Sequence, residues 1–404
     1  MTVLTISRLG HLGDGIAPGP VFVPMALPGE VVEGELDGER MAEPKIVAPS
    51  PDRVKAPCRH YRACGGCALM HASDAFVAGW KTEVVRQALS AQGLEAPFRP
   101  ILTSPAHSRR RATFSGRRTK AGAIVGFHGR RSGTITEIPD CQILDPRLTA
   151  LLPALEAITV AGGSRAAELA LAATLTDRGI DLAVRNGKPL EPALFAQLAR
   201  IAADADLARL SWDGEVVAMA RPPARRFGKA EVMPPAGAFL QATAEGEAAL
   251  VASVIEAVGH ADRVADLFAG CGTFALPLAE RTEVHAVEGD PAMVAALDAG
   301  WRGAQGLHRV TTEARDLFRR PLLPDELDRF GAVVIDPPRA GAEAQSAQIA
   351  ASRVPVVAAV SCNPVTFARD ARMLCNAGFS IDWIEVVDQF RWSPHVELSA
   401  RLSR

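Results

Sequence analysis

The stretch RVADLFAGCGTF, from Arg263 to Phe274, decides the fold. A short apolar run carrying Asp266 ends in a glycine-rich turn and leads into helical periodicity. Gly270 and Gly272 let the backbone turn tightly and let a ligand come close. Three later segments repeat the pattern of apolar run, loop and helical period: EVHAVE (283–288), GAVVID (331–336) and VPVVAAVSC (354–362). Such alternation predicts a doubly wound, Rossmann-like α/β sheet. In these sheets ligands sit outside the carboxyl ends of the strands, and each motif below falls at such an end.

The glycines do not follow the G-x-G-x-x-G spacing that cradles a pyrophosphate; position 275, the third glycine of that pattern, is Ala275. Glu288 lies 22 residues after Asp266 and ends the next strand. A carboxylate there can accept hydrogen bonds from both ribose hydroxyls. By themselves these residues fit NAD or S-adenosylmethionine (SAM). The short glycine loop favours SAM, which has no pyrophosphate. IDPPRAG (335–341) adds Asp336 at a strand end, followed by two prolines that fix a rigid turn. That lip suits a flat base. Arg339 stands where amino-nucleobase methyltransferases carry an aromatic, which points away from amino-group methylation.

VSCNPVTFARD (360–370) places one thiol, Cys362, at the tip of the next strand. Pro364 suits the first turn of the helix that follows, and a helix N-terminus is expected to favour the thiolate. Cys375, in MLCNAGF, reads as a small core residue. A thiolate beside SAM suggests a specific chemistry. The C5 carbon of uracil is a poor nucleophile until a thiolate adds to C6. After methylation the C5 proton must leave, which demands a general base. Glu397, in SPHVELSARL, is the candidate, at the start of a terminal antiparallel strand expected beside the active edge.

The remaining chain bounds the reading. Its 404 residues carry 44 Lys and Arg against 46 Asp and Glu, so the net charge of −2 excludes a polycation. No apolar run approaches the roughly 18 residues of a membrane span. The N-terminus lacks a secretory signal pattern, so a cytoplasmic location is expected, with no membrane partner. Residues 1–46 read as a small OB-like β-barrel, and 48–53 as a linker. A helix is expected over about 74–92, and RPPARRFGK (221–229) reads as a loop. Between His107 and Arg131 lie eight basic residues and no acidic one, with Phe114 and Phe127 interleaved. That patch could bind a nucleic-acid backbone or be a solvated face of a β-rich domain. Seven cysteines argue against a disulfide framework. Cys58, Cys64 and Cys67 follow C-x5-C-x2-C, with Cys141 74 residues further on. Four thiolates suit an iron–sulfur cubane or tetrahedral zinc, and His60 or His71 leaves a Cys3His zinc site open.

These motifs resemble those of the SAM-dependent RNA uracil-C5 methyltransferases, most of all the ribosomal-RNA branch that carries an iron–sulfur cluster. The likeness covers nearly the whole chain. GDGIAPGPVFVPMALPGEVVEGEL looks like the family's TRAM domain, and CRHYRACGGC with DCQI looks like its cluster signature. FLQ, DLFAGCG, VEGD, IDPPRAG, SCNP and HVE occur in the family's order. The resemblance implies three parts: an RNA-binding TRAM barrel over 1–46, an α+β iron–sulfur domain over 47–238, and a class I methyltransferase domain over 239–404. It implies Cys362 as nucleophile and Glu397 as proton acceptor. Gln241, Phe268, Glu288 and Asp336 match cofactor-contacting positions. Thr273 stands where several relatives have Asn, and Asp316 is expected near the adenine. Cys58, Cys64, Cys67 and Cys141 would hold a [4Fe–4S] cluster. The expected substrate is a uridine of structured RNA, 23S rRNA on the strength of the four cysteines, and the expected working form is a monomer. The competing readings are a tRNA uracil-C5 methyltransferase, an RNA-binding or remodelling protein with a vestigial methyltransferase domain, and a SAM enzyme acting on a small molecule.

Overall fold

Strands that are apolar on both faces must be covered on both faces, and the C-terminal part of the chain is built on that rule. The computed structural model describes residues 1–404. Eight strands form one mixed sheet. In spatial order they are Val310–Ala314, Glu283–Glu288, Arg263–Leu267, Ala332–Ile335, Val356–Ser361, Leu398–Ser403, Ser380–Asp388 and the short Leu102–Thr103. The first five run parallel. Leu398–Ser403 is antiparallel to both of its neighbours, as expected for the strand that follows Glu397. Val333 and Ile335 point into one core, Ala332 and Val334 into the other. The chain leaves Arg263–Leu267 toward one edge and later returns to its opposite side at Ala332–Ile335. The crevice opened by that reversal is where such sheets bind ligands.

The segment before this sheet does not stand apart from it. The helix Asp74–Ala91 is capped by Ser73, whose side chain accepts from the Phe76 N–H at 3.2 Å. Its Val85 and Leu89 belong to the same core as Val357 and Leu374 of the C-terminal sheet layer. Leu102–Thr103 then adds to the sheet edge beside Val387 and Asp388.

A second sheet of seven strands occupies the middle of the chain. It runs from Ile135–Thr136 through Ala123–His128, Arg111–Arg118, Leu169–Thr176, Gly179–Arg185 and Arg209–Trp212 to Glu215–Met219. The helices Leu152–Gly162 and Pro192–Asp204 contribute Leu155, Ile158 and Leu198 to its core. The segment read as a loop, 221–229, instead enters a two-stranded hairpin, Arg225–Phe227 against Ala230–Val232. Burial of Phe227, Ala230 and Val232 against the C-terminal sheet outweighs the loop signal of its prolines.

Residues 2–48 form two three-stranded antiparallel sheets with a small core of their own that includes Ile6, Val23, Val32 and Met41. Glu30, fully buried, accepts from the Ser50 N–H at 3.1 Å and from the Arg53 guanidinium, which anchors the segment read as a linker. No helix of the chain is long and apolar enough to cross a membrane.

Candidate active site

The strand ends of the C-terminal sheet bring the cofactor-type residues to one crevice. Phe268 takes a left-handed backbone at φ 62°, as do Gly270 at 54° and Gly272 at 95°. A Cβ on Gly272 would meet Leu276 and Leu297 at 2.9 Å, so only glycine fits there. Glu288 holds the turn: its carboxylate accepts from the Gly270 N–H and the Asp290 N–H, each at 3.0 Å. Its remaining lone pairs stay available to a ligand. Thr273 is half-buried in the same turn. Asp316 accepts from the Phe318 N–H at 3.0 Å, and the Phe318 ring leans on Phe268 at 5.4 Å between centroids. Asp316 therefore stands beside Phe268 at the rim of the crevice.

The floor is acidic and unneutralised. Asp266 is fully buried, and neither carboxylate oxygen has a hydrogen-bond partner. Burial, with Asp336 adding to it, holds its carboxyl well above the usual range. Asp336 is open to the crevice but deep within it, and burial raises its carboxyl as well.

Antiparallel pairing brings the thiol and carboxylate candidates together. Ser361 and Leu398 are Cα partners, so Cys362 and Glu397 flank that pair at one end of adjacent strands. Asn363 caps the following helix, Pro364–Asn376, by accepting from the Val365 N–H at 3.1 Å, with Pro364 in its first turn. The sequence expectation that this helix end would favour a thiolate is overturned. Burial pushes the Cys362 thiol up to about 11, Glu397 and Asp336 add to that, and Arg339 opposes it. The loss of hydration outweighs a helix end whose effect is confined to its first turn. Glu397 is 3% exposed, and burial followed by Asp336 raises its carboxyl well above the usual range.

Two residues with no motif of their own complete this corner. Gln389, buried, donates to Gln241 Oε1 at 2.6 Å and to Glu397 Oε2 at 3.3 Å. Arg339 approaches His395 at 3.1 Å, and its carbonyl accepts from Asn363 Nδ2 at 2.9 Å. The only sequence signal for Gln389 is a polar pair, Asp388-Gln389, closing an apolar strand.

The four cysteines at 58, 64, 67 and 141 are free thiols and line one cavity of about 760 Å³. The same cavity is walled by Arg40 of the N-terminal sheets, by Arg109 and Arg130, and by Arg391 and His395 just before Glu397. Burial raises the thiols of Cys64, Cys67 and Cys141, and their mutual proximity adds to it. Four thiolates there require a positive group to hold them. No three His, Cys, Asp or Glu side chains are grouped to hold a single metal ion. His60 contacts Asp140, and His71 Nδ1 contacts the Tyr61 hydroxyl at 2.6 Å. His71 Nε2 is buried without a partner, so a Cys3His zinc site stays open beside the four-thiol one.

Within the basic stretch Arg110 is buried, whereas Arg117, Lys120 and Arg131 are exposed. Arg110 is buried against Glu247, Arg117 pairs with Glu168, and Arg131 pairs with Asp14 at 3.0 Å. Phe114 is fully buried and stacks on Phe127 at 5.3 Å, so these aromatics serve the core. Arg109 and Arg130 remain on the cavity wall.

Residues 231–404 match the family model of tRNA (uracil-5-)-methyltransferases. A protein of Brucella suis named as an RNA methyltransferase is 44% identical over 404 residues, covering 99% of this chain and 97% of that one. The 23S rRNA (uracil(1939)-C(5))-methyltransferase RlmD of Halomonas elongata is 35% identical, covering 98% of this chain and 88% of its own. The crystal structure of Pyrococcus abyssi tRNA (uracil-54, C5)-methyltransferase with S-adenosyl-L-homocysteine superimposes with a TM-score of 0.78 over 99% of both chains, at 22% identity.

Proposed function

The chain belongs to the RNA uracil-5 methyltransferases, and from that premise we propose that it transfers a methyl group from SAM to C5 of a uridine in 23S rRNA. The observation that carries the reading is the Ser361–Leu398 pairing, which puts one thiol and one carboxylate side by side at the crevice.

SAM, when bound, supplies an electrophilic methyl group on a positively charged sulfur. Gln241, Phe268, Thr273, Glu288, Asp316 and Asp336 are the residues proposed to hold it. Once its thiol proton has passed to water, the Cys362 thiolate adds to C6 of the uracil, forming the S–C6 bond and moving the C5=C6 pair toward the C4 carbonyl oxygen. C5 is then nucleophilic enough to take the methyl group. Glu397 accepts the C5 proton, the C5=C6 bond re-forms, and the S–C6 bond breaks to return the thiolate. The burial of Glu397 keeps it basic for that step.

Residues 1–46 are proposed as a TRAM-type RNA-binding barrel, 47–238 as the cluster-bearing part and 239–404 as the methyltransferase part of a monomer. Cys58, Cys64, Cys67 and Cys141 are proposed to hold a [4Fe–4S] cluster with a structural task. The basic stretch from His107 to Arg131, together with the barrel, would hold the RNA backbone while the target base leaves its stack. The likeness to RlmD and the four thiols favour rRNA. A tRNA uridine is the second reading, favoured by the description of the matching family model.

The test is methylation of undermodified 23S rRNA and of tRNA, with the product mapped by mass spectrometry. We expect 5-methyluridine in the rRNA, none with Cys362→Ala despite retained SAM binding, and a methylated covalent adduct with Glu397→Gln on a denaturing gel. Methylation by Cys362→Ala removes the proposed mechanism, and methylation of tRNA alone selects the second reading.

A further inference from the structure

We propose that Gln389 is a positioning residue that aims the Glu397 carboxylate at the C5 proton and ties it to Gln241 on the cofactor side. The inference rests on the assignment of Glu397 as proton acceptor.

The hydrogen bonds leave this side chain one orientation. Gln389 Oε1 accepts from the Ala242 N–H at 2.7 Å. The amide nitrogen therefore faces the other way, toward Gln241 Oε1 at 2.6 Å and Glu397 Oε2 at 3.3 Å. An amide nitrogen has two hydrogens, and both are spent. Gln241 in turn presents its oxygen to Gln389, which leaves its own amide nitrogen for the crevice. The backbone under Gln389 is fixed by its neighbours. Asp388 forms a buried ion pair with Lys81 and accepts from the Phe390 N–H at 3.0 Å. The Val387 N–H donates to the Glu397 carbonyl at 2.9 Å. Gly246 makes room: a Cβ there would meet Gln389 Cβ at 2.7 Å.

The choice of an amide has a chemical reason. Asp336 and Cys362 face Glu397 from two strand ends, and Arg339 faces it from the proline turn. A second cation in place of Gln389 would stabilise the carboxylate so strongly that it would be a poor base. A neutral donor favours the ionised form while leaving it basic, and it fixes one oxygen so that the other points to the substrate.

The test uses the full-length protein with RNA and SAM, following formation and resolution of the methylated adduct against pH. Gln389→Met removes the donors at similar volume. Gln389→Glu keeps an acceptor for the Ala242 N–H and replaces the donors with oxygen. Loss of a donor to the ionised form raises the pH at which Glu397 becomes a base. Both variants are expected to bind SAM and form adduct, but to resolve it slowly at pH 7, with the acid limb of resolution moved up by about one unit and a larger shift for Gln389→Glu. Resolution profiles that superimpose on the wild type, while Glu397→Gln still traps adduct, overturn the inference and leave the Glu397 assignment standing. Loss of SAM binding and of adduct in both variants also overturns it, because the role is then structural. If Glu397→Gln traps nothing, the assignment itself falls and this inference with it.

Discussion

Cys362 and Glu397 sit across from one another on adjacent antiparallel strands, next to the paired residues Ser361 and Leu398. A carboxylate beside a sulfur is an unusual way to treat a nucleophile, because it keeps the thiol protonated. The arrangement makes sense if one group acts early and the other late. In the proposed mechanism Glu397 is needed only after the methyl group has arrived.

That arrangement predicts how Cys362 titrates. Its thiol is pushed up to about 11, so in the free protein its alkylation by iodoacetamide should keep rising with pH well past 9. Glu397→Gln should move that curve down, and Arg339→Met should move it up, since Glu397 raises the thiol and Arg339 lowers it. Mass-spectrometric quantification of Cys362 modification over pH checks this. A plateau near pH 8 would show a thiol free of its carboxylate neighbours.

Asp266 predicts a pH dependence of stability opposite to that of an ordinary salt-bridged carboxylate. Its folded-state pKa is raised, so the folded protein holds a proton that the unfolded chain has already lost. Stability from this group is present below the unfolded value of about 3.9 and is lost as pH rises toward the folded value. The limiting slope is about 1.4 kcal/mol per pH unit. Asp266→Asn carries no such proton. In the absence of cofactor, its stability relative to the wild type should therefore increase from pH 5 to pH 8. Urea unfolding at several pH values measures it, and parallel curves would mean that Asp266 is ionised in the folded protein.

The cysteine site predicts composition. Anaerobically purified protein should be brown and contain about four iron and four sulfide per chain. Cys67→Ser or Cys141→Ser should each lose most of the iron and lower the melting temperature, because the ligands cross-link segments far apart in sequence. Colourless protein that holds one zinc would replace the cubane with a single ion.

What could be read in advance follows from how local each signal is. Glu288, Asp336 and Cys362 stand at the ends of apolar strands and Asp266 one residue before such an end, so strand periodicity marks their positions. Glu397 is a candidate mainly through its HVE motif and the resemblance that motif carries, since the strand after it, LSARLS, is only half apolar. Gln389 is not legible, since its meaning comes from Ala242 and Gln241, nearly 150 residues away in the chain. Nor is the pairing of Arg110 with Glu247, 137 residues later, visible in the basic stretch. The thiol at Cys362 was misjudged because helix position is visible in sequence, whereas burial beside two carboxylates is not.

The Ala68 and Leu69 N–H groups both donate to the Trp392 carbonyl, at 2.8 and 2.9 Å, and Lys81 reaches past them to Asp388. The loop bearing three of the cysteines and the loop bearing the approach to Glu397 are therefore cut as one key. Anyone who grafts the front of one relative onto the back of another must carry residues 388–395 along with the graft, or lose the contacts that seat the two loops against each other.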